Sequence, residues 1–257
     1  MALGWARQRQ LNYFLTVLGF FVVVGLVIFF IYKPAPSCFD GKLNQDEQGV
    51  DCGGVCSLAC TGQIRPLKIS WVRPLKVTNG WYDLVARVEN LNTTLGNRNL
   101  PYNLSVYDTD NVLITTRSGS TFVNPNDVFL IFESRVDTGE RIVGKVFLEF
   151  PTSTPWERVS PVEKDLYIER REFSNEPRPI LHLSVGNSSL LPYSDIQVVT
   201  VLSDINNNTF AASKTIVDSL GSNSRKEVYF TWPRPFSAEP SYVDSYWRVN
   251  AFSLSQP

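Results

Sequence analysis

Four cysteines, and a crowd of oxygen-bearing side chains set among them, are the residues of this chain best suited to chemistry. The cysteines run Cys38-x13-Cys52-x3-Cys56-x3-Cys60, and there are no others in the 257 residues. An even count in a short, glycine-rich stretch reads as two disulfides, which persist in oxidising compartments. As thiolates the same sulfurs could hold zinc. Their spacing departs from the usual Cys-x2-Cys pairs, however, and the one histidine, His182, lies far along the chain. Three pairings of four cysteines are open, and spacing chooses none of them. Between the cysteines stand Asp40, Asn44, Asp46, Glu47 and Asp51. Hard oxygen ligands on a small loop suit Ca²⁺, which takes about six to eight of them, although the spacing is not that of an EF-hand. The competing use is local, because short carboxylate and amide side chains cap turns by accepting backbone N–H groups. Calcium is the one cofactor this pattern suggests.

Elsewhere the sequence offers little catalytic material. His182 alternates with Leu181 and Leu183 in Ile180–Val185, as a strand residue does. There is no Gly-x-Ser-x-Gly elbow and no glycine-rich phosphate loop. Asp83, Glu89 and Asp108 are the carboxylates a glycan hydrolase could use, with nothing in the sequence to fix their separation. The expectation is a protein without enzymatic activity. With 24 basic and 25 acidic residues the net charge is −1, which gives no field for nucleic acid. Trp71, Trp81, Trp156, Trp232 and Trp247 fit core packing better than a carbohydrate platform. Trp232-Pro233-Arg234-Pro235-Phe236 reads as an extended edge or loop, one that covers a sandwich end or contacts a partner, or more simply one that prolines keep from pairing. Glycosylation triplets at Asn92, Asn103, Asn187 and Asn207 arise readily in turn-rich sequence and carry little weight.

The elements that must position these residues begin with an apolar segment. No charged residue occurs between Arg9 and Lys33, and from Tyr13 to Tyr32 the clearly polar side chain is Thr16. As a helix, about 20 such residues span roughly 30 Å, the thickness of a bilayer's hydrocarbon core. Trp5, Tyr13 and Tyr32 stand where an aromatic belt would lie, and Pro34 and Pro36 would stop the helix. Ala35-Pro36-Ser37 loosely fits a signal cleavage site, but the apolar run exceeds a usual signal core, so an uncleaved anchor is expected. Basic residues flank the helix almost evenly (Arg7 and Arg9 against Lys33 and Lys42), so orientation rests on the cysteines. Disulfides put the C-terminal bulk outside and the N-terminus in the cytoplasm.

From Gln63 onward, short alternating strands are punctuated by turn residues, as in Trp81–Val88 and Asn103–Tyr107, with no amphipathic helix between them. The pattern then recurs. Arg87-Val88-Glu89-Asn90 corresponds to Ser184-Val185-Gly186-Asn187, Leu100-Pro101-Tyr102 to Leu191-Pro192-Tyr193, and Val106-Tyr107-Asp108 to Leu202-Ser203-Asp204. Copies of about 100 residues match the size of one immunoglobulin-like sandwich. The expected fold is mainly β: an N-terminal transmembrane helix, a small disulfide-rich segment and two tandem immunoglobulin-like β-sandwiches. The expected segments are a cytoplasmic tail at 1–10, the helix at 11–33, the cysteine segment at 34–62, and sandwiches at 63–174 and 175–257, divided at the polar Ser174-Asn175-Glu176-Pro177.

Two resemblances follow from these residues. Residues 38–56 resemble the short Cys-x-Asp-Gly-x-x-Asn-x-Asp-Glu-x-Gly-x-Asp-Cys-Gly-Gly-x-Cys module of bacterial surface proteins, which implies exposure on the cell envelope. The order of strand, Val-x-Asn, Pro-Tyr and a strand ending in Asp resembles the sandwich domains of the FxLYD and LEA14-like kind. Leu104–Asp108 carries that signature in the first copy, and the second copy lacks its aromatic residue. These resemblances imply a structural or binding module at the outer membrane face, with the lipid bilayer and an envelope protein or surface polymer as partners. The rival expectation is a subunit of a membrane-embedded secretion or surface-appendage complex.

Overall fold

The computed structural model describes residues 2–32, 37–44, 46–151, 154–162 and 165–254, without the side chains of residues 2, 3, 5, 6, 30–32 and 170. Contacts divide the chain into two compact units, residues 1–55 and 56–257. In the first, α1 runs from Ala2 to Tyr32, so the helix includes the charged stretch ahead of the apolar run. Its Arg7–Phe29 stretch is long and apolar enough to cross a membrane, and none of it is buried by protein. Thr16 makes no demand on a partner, since its hydroxyl donates to Asn12 O one turn back. Pro34 and Pro36, and the side chains of Trp5 and Tyr32, lie outside the described residues.

The second unit is built from antiparallel strands. They are β1 (Lys68–Thr78), β2 (Trp81–Glu89), β3 (Leu95–Asp108), β4 (Leu113–Val123), β5 (Val128–Asp137), β6 (Val143–Glu149) and the short β7 (Glu157–Arg158), then β8 (Leu166–Ser174), β9 (Ile180–Asn187), β10 (Tyr193–Ser203), β11 (Thr209–Leu220), β12 (Arg225–Thr231) and β13 (Tyr242–Arg248). Sheets β1-β2-β5 and β4-β3-β6 enclose one core, and β8-β9-β12 with β11-β10-β13 enclose a second. The strand orders coincide when β8 is matched to β1, so the repeat seen in the sequence is a repeat of topology.

The copies also agree at single hydrogen bonds. Asn90, the residue after β2, is buried and donates from Nδ2 to Leu95 O and Asn124 O. Asn187 ends β9, is equally buried, and donates to Leu191 O and Gly221 O. In both copies the amide joins the loop after the strand to a second loop. Asp108 Oδ1 accepts from the amides of Asp110 and Val112, and Asp204 Oδ1 accepts from those of Asn206 and Asn208.

The division between copies falls earlier than composition suggests. β8 pairs with β9 along its length, and Leu166 lies in the second core. The sandwich expected to start at residue 175 therefore already includes β8, and Ser174–Pro177 belongs to the connection from β8 to β9. The polar, proline-containing stretch was legible as a break, but what it breaks is a strand pair.

In two of the sheets the central strand is buried on both faces. On β2, Leu84, Ala86 and Val88 point into the first core, while Val85 points the other way. On β10, Val198 and Leu202 face the second core, while Val199 and Val201 face outward from it. Leu75, Val85, Leu130, Val199, Val201 and Ala212 then meet in a third apolar cluster. The outer face of β1-β2-β5 thus packs on the outer face of β11-β10-β13. Sheets covered on both sides read as continuous apolar runs, which accounts for Leu84-Val85-Ala86 and Val198–Leu202.

One buried cation locks this contact. Arg248, 3% exposed, lies with its guanidinium over the Phe122 and Phe129 rings, 4.1 and 4.2 Å from their centroids. It donates to Asp127 Oδ2 (3.3 Å), Thr121 Oγ1 (3.2 Å) and Phe122 O. Burial pulls its pKa down, and Asp127 opposes that shift. Beside it, Asn124 Nδ2 donates to Val249 O and its Oδ1 accepts from Ala251 N. The short α2 (Ala251–Leu254) follows, and no apolar periodicity announces it. Its Phe252 packs so closely on Gly96 that a Cβ there would lie 3.1 Å from the ring and 2.5 Å from Val123 O.

Removing one partner of a buried, hydrogen-bonded ion pair costs about 3–5 kcal/mol, whereas removing a buried amide that satisfies carbonyls costs about 1–3 kcal/mol. Arg248→Ala is expected to fall in the first range, and Asn90→Ala and Asn187→Ala in the second. Urea unfolding in detergent micelles, followed by tryptophan fluorescence, measures all three. An Arg248→Ala loss below about 1 kcal/mol would mean that the sandwiches hold together without the clamp.

Candidate functional site

The cysteine segment folds as a run of tight turns. All four cysteines are disulfide-bonded and none is free, which leaves no thiolate for zinc. The first unit closes its loop with a short bridge, in which Cys52 N donates to Gly49 O and Gly49 N to Cys52 O. Two motif glycines have steric causes. Gly41 has φ +69°, and at Gly54, with φ +55°, a Cβ would sit 1.8 Å from Asp46 O.

The acidic residues here act as caps. Asp51 accepts from the amides of Asp40 (3.0 Å) and Gly41 (2.9 Å). Asp40 Oδ1 accepts from Lys42 N, and its Oδ2 accepts from Asn44 Nδ2 at 2.9 Å. Glu47 Oε2 accepts from the amides of Asn44 and Asp51. Asp46 is exposed and takes the left-handed turn conformation, φ 62°. Among the described residues one buried oxygen, Asn44 Oδ1, meets no donor. One such atom is far from the six to eight oxygens calcium takes. Of the five residues that suggested a cation, Asp40, Glu47 and Asp51 point their carboxylates at backbone amides, so the set fits turn capping and not a preformed calcium cage.

A second candidate lies in the larger unit, at the end of the sandwiches opposite Arg248. A groove of about 540 Å³ runs between Leu75 and Asp83 of the first sandwich and Phe210, Trp232 and Arg234 of the second. Burial raises the Asp83 carboxyl above its ordinary value, and the Arg135 amide donated to it opposes the rise. The proline-rich segment forms the wall. Trp232 is 7% exposed and donates from Nε1 to Ala212 O, and Phe236 packs on Trp232, Phe210 and Phe173. Asn175 fixes Phe236 by bonding both its N–H and its carbonyl. Of the uses the sequence suggests for this segment, covering a sandwich end is the one it takes, since it plugs one end of the second core.

The other singled-out residues have structural occupations. His182 lies on the open face of β8-β9-β12, stacked on Tyr229 with ring centroids 4.5 Å apart, between Glu172 and Glu227. Glu89 is bonded by Ser70, Arg87 and Lys68, which lower its pKa to about 2. Asp108 caps its turn and pairs with Arg141 at 2.8 Å. Trp156 is buried in the first core, and Trp81 is 40% exposed. Arg248, Asn124 and the β13 edge were not singled out from sequence. One arginine among 24 basic residues carries no sign that it is buried.

No family model and no curated protein matches the chain. Among solved structures it is similar to a red sea bream transglutaminase at 11% identity and TM-score 0.26, over 73% of this chain and 30% of that one. It is also similar to a β-glucuronidase of glycoside hydrolase family 2, at 10% identity and TM-score 0.23, over 60% of this chain and 20% of that one. The chain thus spans less than a third of either protein's length.

The capped loop has a definite acid response. Asn44 beside it, with the amides of Lys42 and Ser37, holds the Asp40 carboxyl below its ordinary 3.8. A group whose folded pKa is depressed contributes fully above its unfolded value and loses that contribution as pH falls through the folded one. Hydrogen exchange at the Lys42 amide is therefore expected to stay protected down to about pH 4 and to lose protection below it. Asp51→Ala is expected to release the Asp40 and Gly41 amides at every pH, and unchanged protection of both would show that Asp51 is not their cap.

Proposed function

We propose that the protein is a membrane-anchored, extracytoplasmic structural or binding module without catalytic activity, held by α1 with its N-terminus in the cytoplasm. The observation that carries this reading is the oxidation of all four cysteines in the stretch that follows a helix able to cross a membrane. Disulfides of this kind persist outside the reducing cytoplasm, so the second unit belongs on the outer side.

The repeated strand order, β1-β2-β5 against β4-β3-β6, supports an immunoglobulin-like assignment for both sandwiches. The likeness to FxLYD and bacterial surface modules points the same way, to a cell-envelope protein. An anchored ectodomain meets its neighbours at a raised effective concentration. It therefore needs only modest intrinsic affinity for an envelope protein or surface polymer.

Alkylating intact cells without reductant, then fractionating them, tests the reading. The protein is expected in the membrane fraction with no cysteine alkylated until reductant is added, and external protease is expected to remove the sandwiches. Recovery from the cytosol with four alkylatable thiols would overturn it.

A further inference from the structure

We infer that the outer edge of β13 is a docking site for an extended peptide segment of a partner protein, which would add a fourth strand to β11-β10-β13. Five consecutive residues, Ser245 to Val249, line a groove of about 340 Å³. Successive side chains of a strand point to opposite faces, so consecutive residues share one groove only along the backbone edge. β13 pairs with β10 on one side, and among the described residues no strand pairs with the other.

Edge strands normally carry protection against such pairing, especially exposed lysine, proline or bulges. Among the described residues, the other outermost strands of the four sheets each have an exposed basic residue: Lys68 on β1, Arg117 on β4, Arg135 on β5, Lys145 on β6, Arg171 on β8, Lys214 on β11 and Lys226 on β12. On β13 the one basic residue, Arg248, is turned inward and buried, which leaves Asp244 as the exposed charge. The same clamp that joins the sandwiches thus removes the guard from this edge.

The groove is also preformed. One wall is Asn124–Val128, whose Asn124 and Asp127 are bonded to the β13 end, and the other is Pro161 and Val162. A rigid receiving edge avoids part of the ordering cost of binding. The occupant's chemistry follows from the alternation along β13. Val243 and Trp247 lean on the second core, and Tyr246 leans toward the first sandwich near the 37%-exposed Val128. A strand laid beside them would extend the sheet that already forms the inter-sandwich contact. It would carry no charge at its centre and have apolar residues at alternate positions. Five residues span about 17 Å, an ordinary strand length. Main-chain bonds would supply affinity and the alternate side chains selectivity.

This deepens the binding-module reading and rests on it, but not on the membrane anchor. The test uses the full-length, oxidised protein in detergent micelles and a fluorescein-labelled Lys-Thr-Val-Thr-Val-Thr-Val-Lys peptide. The control is the same peptide N-methylated at alternate amides. The expected result is saturable anisotropy with the first peptide only, and at least tenfold slower hydrogen exchange at alternate amides of residues 243–249. Three results would overturn the proposal: no slowing at millimolar peptide, outward amides already protected in the free protein, or protection that rises with protein concentration alone, which would assign the edge to a second copy. A failed titration on a protein that fractionates with membranes removes this edge and leaves the anchored-module reading standing.

Discussion

Two inner sheets whose central strands are covered on both faces constrain everything else in the larger unit. A sandwich ordinarily buries one face of each sheet and wets the other. Here Val85 and Leu130 on one side, and Val199 and Val201 on the other, are as buried as the residues of the two cores. Neither sandwich could expose that second face without presenting a contiguous apolar patch of the kind that drives association. The two copies are therefore obliged to stack, and stacking sets their common direction, with Arg248 at one end and the groove beside Trp232 at the other. Hydrophobic contact supplies attraction without direction. The guanidinium, held by Asp127, Thr121 and the Phe122 carbonyl between two rings, supplies the register.

The repeat was legible in the sequence because its markers are residues with local hydrogen-bonding duties. Asn90 and Asn187 each satisfy two carbonyls, and Asp108 and Asp204 each cap two amides of a turn. Few other side chains can do either job, so identity persists where surrounding apolar residues differ. The stacking was not legible. A run such as Val198–Leu202 says that both faces of a strand are covered and is silent on what covers them. The break between copies was misplaced for a related reason, since Ser174–Pro177 has the composition of a linker and the position of a turn.

The acidic loop illustrates the limit of residue types as a guide to chemistry. Asp40, Glu47 and Asp51 suit a hard cation and suit backbone amides equally well, and only geometry separates the uses. In a segment too small for an apolar core, turns cross-linked by disulfides must satisfy their own amides. Carboxylates set among left-handed residues do that with strong, charge-assisted bonds. Much of the motif's specificity, including the clash awaiting any side chain at Gly54, is thus accounted for by folding alone.

Near the start of the larger unit the Ala59 N–H donates to Trp156 O, and Arg158 follows on the strand that pairs with Leu95. Phe252 packs on the neighbouring Gly96. Residues 57–59 and the C-terminal helix therefore crowd one end, together with the clamp and the asparagine of the first copy. The turns at Asn79-Gly80, Asp108–Asn111 and Asp204–Asn208 lie at the other end, and the two aspartate turns are closed by their own residues. The architecture thus separates duties along its long dimension. Lengthening or recasting the tips leaves the joint untouched, so variants of this fold can differ at their tips without re-solving how the two sandwiches stand.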